Sequence, residues 1–241
     1  MNQKETQGRF STQLRTALIW GGRGHAKVLH EFLDAVGFAV KAVYDNDDQV
    51  DSPLPGIPVY HGTSRLETWA QSFGNTERPA GFIAIGGSAG KARLEILALL
   101  AASGIDAPTV FHPASFVARD AKFGSACQVL ASAAVCADTS FGNACIVNTA
   151  ASVDHECRVG DGVHIAPNAT VAGCVEIDDR AFIGAGAVVL PRISIGHDAI
   201  VGAGAVVTRN IPAGAVAYGN PARVMRSNND IPDISRACHA A

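Results

Sequence analysis

The sequence predicts two unlike parts in tandem, a small parallel α/β sheet followed by an all-β parallel β-helix. Two observations carry this expectation. Every sixth residue from Phe111 to Val207 is Val, Ile or Phe, with no insertion in the series. Ahead of that series, short apolar strands alternate with helical stretches, and the strands run out into glycine or aspartate.

A helix needs a period of 3.6 residues and a strand a period of two, so neither accounts for a strict six. A chain that turns a corner every six residues does, and such repeats stack one coil on the next. Three hexads close a triangular coil, which places residues 18 apart in register at the strand spacing of about 4.8 Å. The residue four places after each apolar position is small or aliphatic, as at Cys127, Ala133, Cys145, Ala151 and Ala169. Glycine often follows the apolar position directly, as at Gly142, Gly160 and Gly184.

The residue before each inward position should point outward. On one face these residues are Lys122, Ser140, Arg158, Glu176 and Ser194, which suit water. On the second they are Gln128, Ile146, His164, Phe182 and Ile200, and on the third Phe116, Ala134, Ser152, Thr170, Val188 and Val206. Parallel sheets are normally covered on both sides, and nothing else in this half of the chain offers cover. Two covered faces on a three-sided prism predict a closed ring of three identical subunits with heterologous contacts. A dimer using one face is the simpler alternative.

In the N-terminal part, Ala17-Leu18-Ile19-Trp20 reads as a buried strand, and Gly21-Gly22-Arg23-Gly24-His25 as the turn after it. A helix is expected from Ala26 to about Val36, stopped by Gly37. A second strand runs from Ala39 to Tyr44, a further one from Gly81 to Ile85, and a helix from about Lys91 to Ala102. Strand and helix in alternation indicate a parallel sheet. Gly104 to Pro108 reads as a hinge. The expected divisions are a polar tail over 1–15, the α/β domain over 16–108, the β-helix over 109–225 and a second tail over 226–241.

Composition narrows the function. Charged residues are 17% of the 241 and the formal net charge is -3, so there is no basic field for nucleic acid or anionic lipid. The first fifteen residues lack the apolar core of a secretory signal, and no apolar run approaches a membrane span. The six cysteines form no CxxC pair. Free thiols used as small apolar fillers fit a reducing compartment, and a cytoplasmic location is expected.

The glycine turn after the first strand can set backbone N–H groups against a phosphate at a helix N-terminus. Gly22 and Gly24 fit a dinucleotide fingerprint, but Lys27 stands where its third glycine belongs. NAD is therefore disfavoured, while a nucleotide diphosphate fits; the same glycines would also serve an empty tight turn. Asp45 and Asn46 follow the second strand, where such sheets hold a sugar or base, although acidic loops with neighbours such as Asp47 and Asp48 are often only solvated.

In the repeat half, His155 falls at a corner, and Gly173 follows one coil later. A glycine there leaves room beside an imidazole and bares its own N–H. A neutral imidazole can take a proton from an attacking amine or hydroxyl, and the Gly173 N–H can bond a developing oxyanion. His164, nine residues on, is expected to point outward from a face that meets a neighbour, which adds a polar group to a subunit cleft. A corner histidine capping a turn, and a polar spacer at an interface, are the plainer readings. Zinc needs three or four ligands, and His112 and His197 lie too many coils away to complete a histidine set, so no metal is expected.

Taken together, Gly21-Gly22-Arg23-Gly24-His25-Ala26-Lys27, Asn148-Thr149, Val153-Asp154-His155-Glu156-Cys157, His164-Ile165-Ala166-Pro167 and Gly219-Asn220-Pro221-Ala222 resemble one family. The chain is similar to the sugar acyltransferases of the left-handed β-helix superfamily that carry an N-terminal Rossmann-like nucleotide-sugar-binding domain. Within it, the PglD/PerB/NeuD-like group of nucleotide-aminosugar N-acetyltransferases is the nearest branch. The left hand of the coil is implied by this resemblance alone, since ordinary parallel crossovers are right-handed.

The resemblance implies acetyl-CoA as co-substrate, and His155 as the general base with Glu156 raising its basicity; Asp154 and Asp138 are rival partners. It places His164 and the Gly173 amide at the thioester, and Asn220 and Pro221 near the adenine end of CoA. Arg23, Gly24, His25, Asp45, Asn46, Gly86 and Asn148 would hold the nucleotide sugar. Surface-glycan synthesis is the implied setting. O-acetylation of a sugar of the sialic acid type, and a non-catalytic nucleotide-sugar-binding scaffold, are the competing readings.

Overall fold

The computed structural model describes residues 14–73 and 78–228, so most of both expected tails lies outside the described residues. The N-terminal part is a four-stranded, all-parallel sheet in the order β3-β2-β1-β4. Its strands are β1 (Arg15–Trp20), β2 (Phe38–Asp45), β3 (Val59–His61) and β4 (Ala80–Ile83). Three helices accompany it: α1 (Gly24–Leu33), α2 (Leu66–Gln71) and α3 (Gly90–Ala102). Leu18, Ile19, Val43 and Tyr44 are fully buried in it. That burial explains why these strands read as continuous apolar runs rather than alternating ones. β3 and α2 were beyond the pattern, because three and six residues are too few to show a period.

The remainder is a β-helix. Strands β5 (Val110–Phe111) to β21 (Val206–Val207) are each two residues long and recur every six residues. They stack into three parallel sheets with partners 18 residues apart, such as Ser140 with Arg158, Ile146 with His164 and Ser152 with Thr170. The second residue of each strand points inward, and Val129, Val147, Ile165, Ile183 and Val201 form one such buried ladder. The first rung is less closed, since Phe111 remains 39% exposed. At every corner from Ala126 to Gly204 one residue takes positive φ, including Ser132, Asp138, Ala144, Ala150, Glu156 and Gly162. Most of these are not glycine, so the coil accepts a disfavoured conformation at nearly every turn and offsets it with stacking and ladder hydrogen bonds. Beyond β21, β22 (Ala215–Tyr218) continues one sheet and β23 (Arg223–Ser227) closes it antiparallel. The expected boundary at 225 therefore falls inside a strand.

The solvent face carries Lys122, Ser140, Arg158, Glu176 and Ser194 on a five-stranded sheet. The face carrying Gln128, Ile146 and His164 departs from expectation. It is covered by the chain's own N-terminal domain, and these three are at most 4% exposed. Leu130 and Ile146 share a core with Leu29 and Phe32 of α1, and Ala126 and Ala144 share one with Leu100 of α3. This docked face needs no second subunit. The free face, with Ala134, Ser152, Thr170 and Val188, has no cover among the described residues, and Phe116 on it is 60% exposed.

The segment expected to act as a hinge is tied down. Ile105 is buried, and the Gly81 N–H donates to the Asp106 carbonyl at 2.7 Å. Arg93 fastens the domains further. This fully buried guanidinium donates to the carbonyls of Ala144 (3.0 Å) and Gly162 (2.5 Å) on the β-helix and to Ile85 (3.2 Å) and Gly87 (3.4 Å) in its own domain. Desolvation lowers its pKa to about 10, which still leaves it charged near neutrality.

Candidate active site

The stacking of coils puts His155 against Gly173. A β-carbon on Gly173 would stand 2.6 Å from His155 Nε2, closer than any real contact, so the imidazole lies where only glycine leaves space. His155 Nδ1 is 2.9 Å from Glu156 Oε2. An ionised carboxylate can only accept, so Nδ1 carries the proton and Nε2 keeps its lone pair. Glu156 reaches its neighbour because it occupies the positive-φ corner position, φ 59°, which breaks the alternation of a strand. The rival carboxylates are engaged elsewhere: Asp154 Oδ1 accepts from the His155 backbone N–H at 2.8 Å, and Asp138 pairs with Arg158 at 3.1 Å. The Gly173 N–H has no hydrogen-bond partner among the described residues, while its carbonyl accepts from Arg192 N–H at 3.1 Å.

His164 does not share this corner. It sits on the docked face, donating from Nδ1 to the Gly87 carbonyl at 3.0 Å and accepting at Nε2 from Asn148 Nδ2 at 3.0 Å. Burial, and after it the charge of Arg93, lowers its pKa to about 3, so it is neutral at ordinary pH. The expectation that it faces a neighbouring subunit is overturned. The six-residue pattern fixes that His164 points outward, but not that a domain of the same chain lies there. Gly86 lies alongside, with a hypothetical β-carbon 3.9 Å from His164 Cε1.

The N-terminal domain carries its own cleft of about 550 Å³ at the carboxyl ends of the strands, lined by Gly22, Arg23, Gly24 and Lys27 on one side and Asp47, Gln49 and Asp51 on the other. Arg23 and Gly24 were expected here. The first turn of α1 has no side-chain cap, Gly24 and Lys27 at its start line this space, and nothing crowds Gly24. Gly22 is sterically required, since a β-carbon would lie 2.6 Å from Val50 Cγ1.

Other residues expected at the sugar site have different positions. Asp45 braces the cleft from beneath, its two oxygens accepting from the N–H groups of Gly22 (2.7 Å) and Asp47 (2.9 Å). Asn46 is exposed and stands outside the lining. His25 is turned away, 2.7 Å from Gln128 Oε1, and Gln128 Nε2 donates to the Ile83 carbonyl at 2.7 Å. His25 thus helps to dock the domains, and burial lowers its pKa. Asn220 and Pro221 are exposed in the loop closing the last coil, where the Val206 N–H donates to Gly219 and the Ala222 N–H to Val206.

Two groups are therefore assembled, on different sides of the prism. His155, Glu156 and Gly173 sit at the corner between the free and solvent faces. The cleft, with His164 and Asn148, lies on the docked side. The sequence reading missed Arg93, for which a helix pattern gives no warning. It also passed over Asp47, which pairs with Arg23 at 2.8 Å, as a merely solvated loop residue.

The family model described as bacterial transferase hexapeptide (six repeats) matches residues 174–209. No curated protein sequence matches the chain. Among solved structures, PerB from Caulobacter crescentus in complex with CoA and GDP-perosamine is 36% identical, with a TM-score of 0.79 over 88% of this chain and 97% of that one. The acetyltransferase domain of PglB from Neisseria gonorrhoeae, in complex with acetyl coenzyme A, is 32% identical, with a TM-score of 0.78 over 88% and 100%. WeeI from Acinetobacter baumannii is 26% identical, with a TM-score of 0.75 over 88% and 100%. This identity extends across both the α/β sheet and the coil, and the chain belongs to the sugar N-acetyltransferases of the left-handed β-helix class.

Proposed function

We propose that this chain moves an acetyl group from acetyl-CoA to the amino group of a nucleotide-linked amino sugar, with His155 as general base. The observation that carries this reading is the His155–Glu156 pair, whose geometry leaves the Nε2 lone pair free beside Gly173. In the reaction, Nε2 takes a proton from the sugar amine as its nitrogen bonds to the thioester carbon. The Gly173 N–H stabilises the oxyanion. Collapse of the tetrahedral intermediate breaks the C–S bond, and the proton held by His155 goes to the departing thiolate. Glu156 stabilises the imidazolium between these steps.

The α1 N-terminus, Arg23 and Lys27 suit the diphosphate of the sugar nucleotide, and Asp47, Gln49 and Asp51 suit hydroxyls and base. Because this cleft and His155 lie on different sides of one prism, the reaction site is completed by two chains. The free face has Asn148 along one edge and His155 along the other. Packing it against a neighbour in a closed ring of three brings one chain's base toward another's sugar cleft. CoA would lie along this seam, with its adenine end near Asn220 and Pro221, nearly four coils or roughly 18 Å above His155. No helix among the described residues is long and apolar enough to cross a membrane, which suits the proposed cytoplasmic role of supplying acetylated sugars for surface glycans.

The test is His155→Ala, assayed with acetyl-CoA and UDP-, dTDP- and GDP-linked amino sugars. Turnover should fall by about 10²-fold or more, with sugar-nucleotide affinity largely retained, since the residues proposed to hold the diphosphate, hydroxyls and base line the cleft without His155. Retained turnover would remove His155 from the chemistry. Transfer to hydroxyl sugars alone would favour O-acetylation, and nucleotide-sugar binding without any transfer a scaffold.

A further inference from the structure

Weighing only histidines as zinc ligands overlooks the corner that His155 occupies. The residue one coil above Glu156 is Cys174, and both hold the same positive-φ corner position, φ 59°. The register is fixed by the Cys174 N–H donating to the His155 carbonyl at 2.9 Å. Their side chains stack as a result, with Cys174 Sγ 3.7 Å from Glu156 Oε2. One ligand atom from each of His155, Glu156 and Cys174 lies within 4.8 Å of the others.

We propose that His155, Glu156 and Cys174 form an inhibitory site for Zn²⁺. The set offers nitrogen, oxygen and sulfur, the three donor types zinc accepts, and three protein ligands with water completing a tetrahedron are a stable arrangement. The side chains of His155 and Glu156 are 54% and 57% exposed, so they can close the remaining distance by rotation while the coil holds their backbones. Other charged groups on this ladder lie one coil away on each side. Asp138 below Glu156 is shared with Arg158, and Arg192, the next corner residue after Cys174, opposes a cation. Borderline-soft zinc is favoured over hard cations because thiolate is among the donors.

Binding changes no oxidation state. The Cys174 thiol releases its proton to solvent as the Zn–S bond forms. Metal on Nε2 uses the lone pair directly. Metal on Nδ1 drives the ring proton onto Nε2. Either way His155 can no longer accept a proton from an amine. The inhibitory part of this inference rests on the reading of His155 as base, whereas the metal-binding part does not.

The experiment uses the whole reduced protein and Co²⁺ as a spectroscopic substitute for Zn²⁺. One equivalent of Co²⁺ should give a thiolate-to-cobalt charge-transfer band that Zn²⁺ bleaches. Cys174→Ser should lack the band, retain acetyl transfer and tolerate at least about ten-fold more Zn²⁺. No band in the wild type, or a band that persists in Cys174→Ser, overturns the site. A normal band with zinc-resistant acetyl transfer overturns the inhibition. If no amino sugar is acetylated, the function proposed above fails, and the cobalt titration still decides the metal site by itself.

Discussion

Along the docked face of the β-helix the outward residues are Gln128, Ile146, His164 and Phe182, and along the free face Ala134, Ser152, Thr170 and Val188. Both rows mix apolar with small or polar groups, and neither resembles the charged solvent face. Their surroundings nevertheless differ. The first three residues of the docked row are buried under α1, β4 and α3 of the same chain, whereas Thr170 is exposed. Hydrophobic patterning establishes that a sheet face seeks cover, since area removed from water stabilises whatever supplies it. It does not distinguish a domain of the same chain from a second copy. The polar residues do carry that distinction. Gln128 is satisfied by His25 and Ile83 of the N-terminal domain and His164 by Gly87 there and Asn148 of the coil, while Ser152 and Thr170 meet each other only at 3.5 Å.

The sharpest break of this contrast is Arg93→Met. Four carbonyls, two on each side of the docked interface, lose their donor, and buried groups left unpaired are costly. A loss of at least about 1–3 kcal/mol is expected, the cost of leaving a buried acceptor unpaired. Both tryptophans, Trp20 and Trp69, lie in the N-terminal domain, so fluorescence follows that domain alone while far-ultraviolet circular dichroism follows mainly the coil. In urea, the two transitions should coincide in the wild type and separate in the variant. Coincident transitions with an unmoved midpoint would mean that Arg93 does not couple the halves.

The free face calls for a different variant. Val188→Arg places a cation on the free row, where a neighbour would have to desolvate it. The folded chain itself should scarcely notice, because surface changes usually stay within about 0.5 kcal/mol. Sedimentation should show the proposed ring falling to single chains, and turnover should drop about 10²-fold with affinity for the sugar nucleotide retained. An unchanged sedimentation coefficient with full activity would show that the free face is not the seam. A matching Thr170→Ala change should leave both readouts in place.

How much of this was legible in the sequence depends on distance along the chain. The coil repeats locally, so Phe111 to Val207 revealed both the triangular cross-section and the 18-residue register that sets His155 beside Gly173. That arithmetic also leads from Glu156 to Cys174. Arg93 with Gly162, His25 with Gln128 and His164 with Gly87 are contacts between positions 69 to 103 residues apart. No period connects such pairs; they exist because two separately patterned surfaces happen to fit. The cleft was half readable for a similar reason. Gly22, Arg23 and Gly24 follow from the turn after β1, while Gln49 and Asp51 join through a loop without a regular pattern.

The smallest expected effect separates the faces by pH. On the docked side His164 has its pKa lowered to about 3 by burial, and that of His25 is lowered for the same reason. In the unfolded chain an ordinary histidine titrates near 6.5, so at acid pH the unfolded state binds more protons than the folded one, and stability falls. The contribution is fully present above about 6.5 and is lost as the pH drops from there toward 3. For His164 alone, moving from pH 7 to 5.5 should cost about 1 kcal/mol, with His25 acting in the same direction. His164→Gln removes the titration, and urea midpoints measured across this range should depend less steeply on pH in the variant. Equal slopes in the two proteins would mean that His164 is open to solvent and protons, and that the docked face is not closed over it.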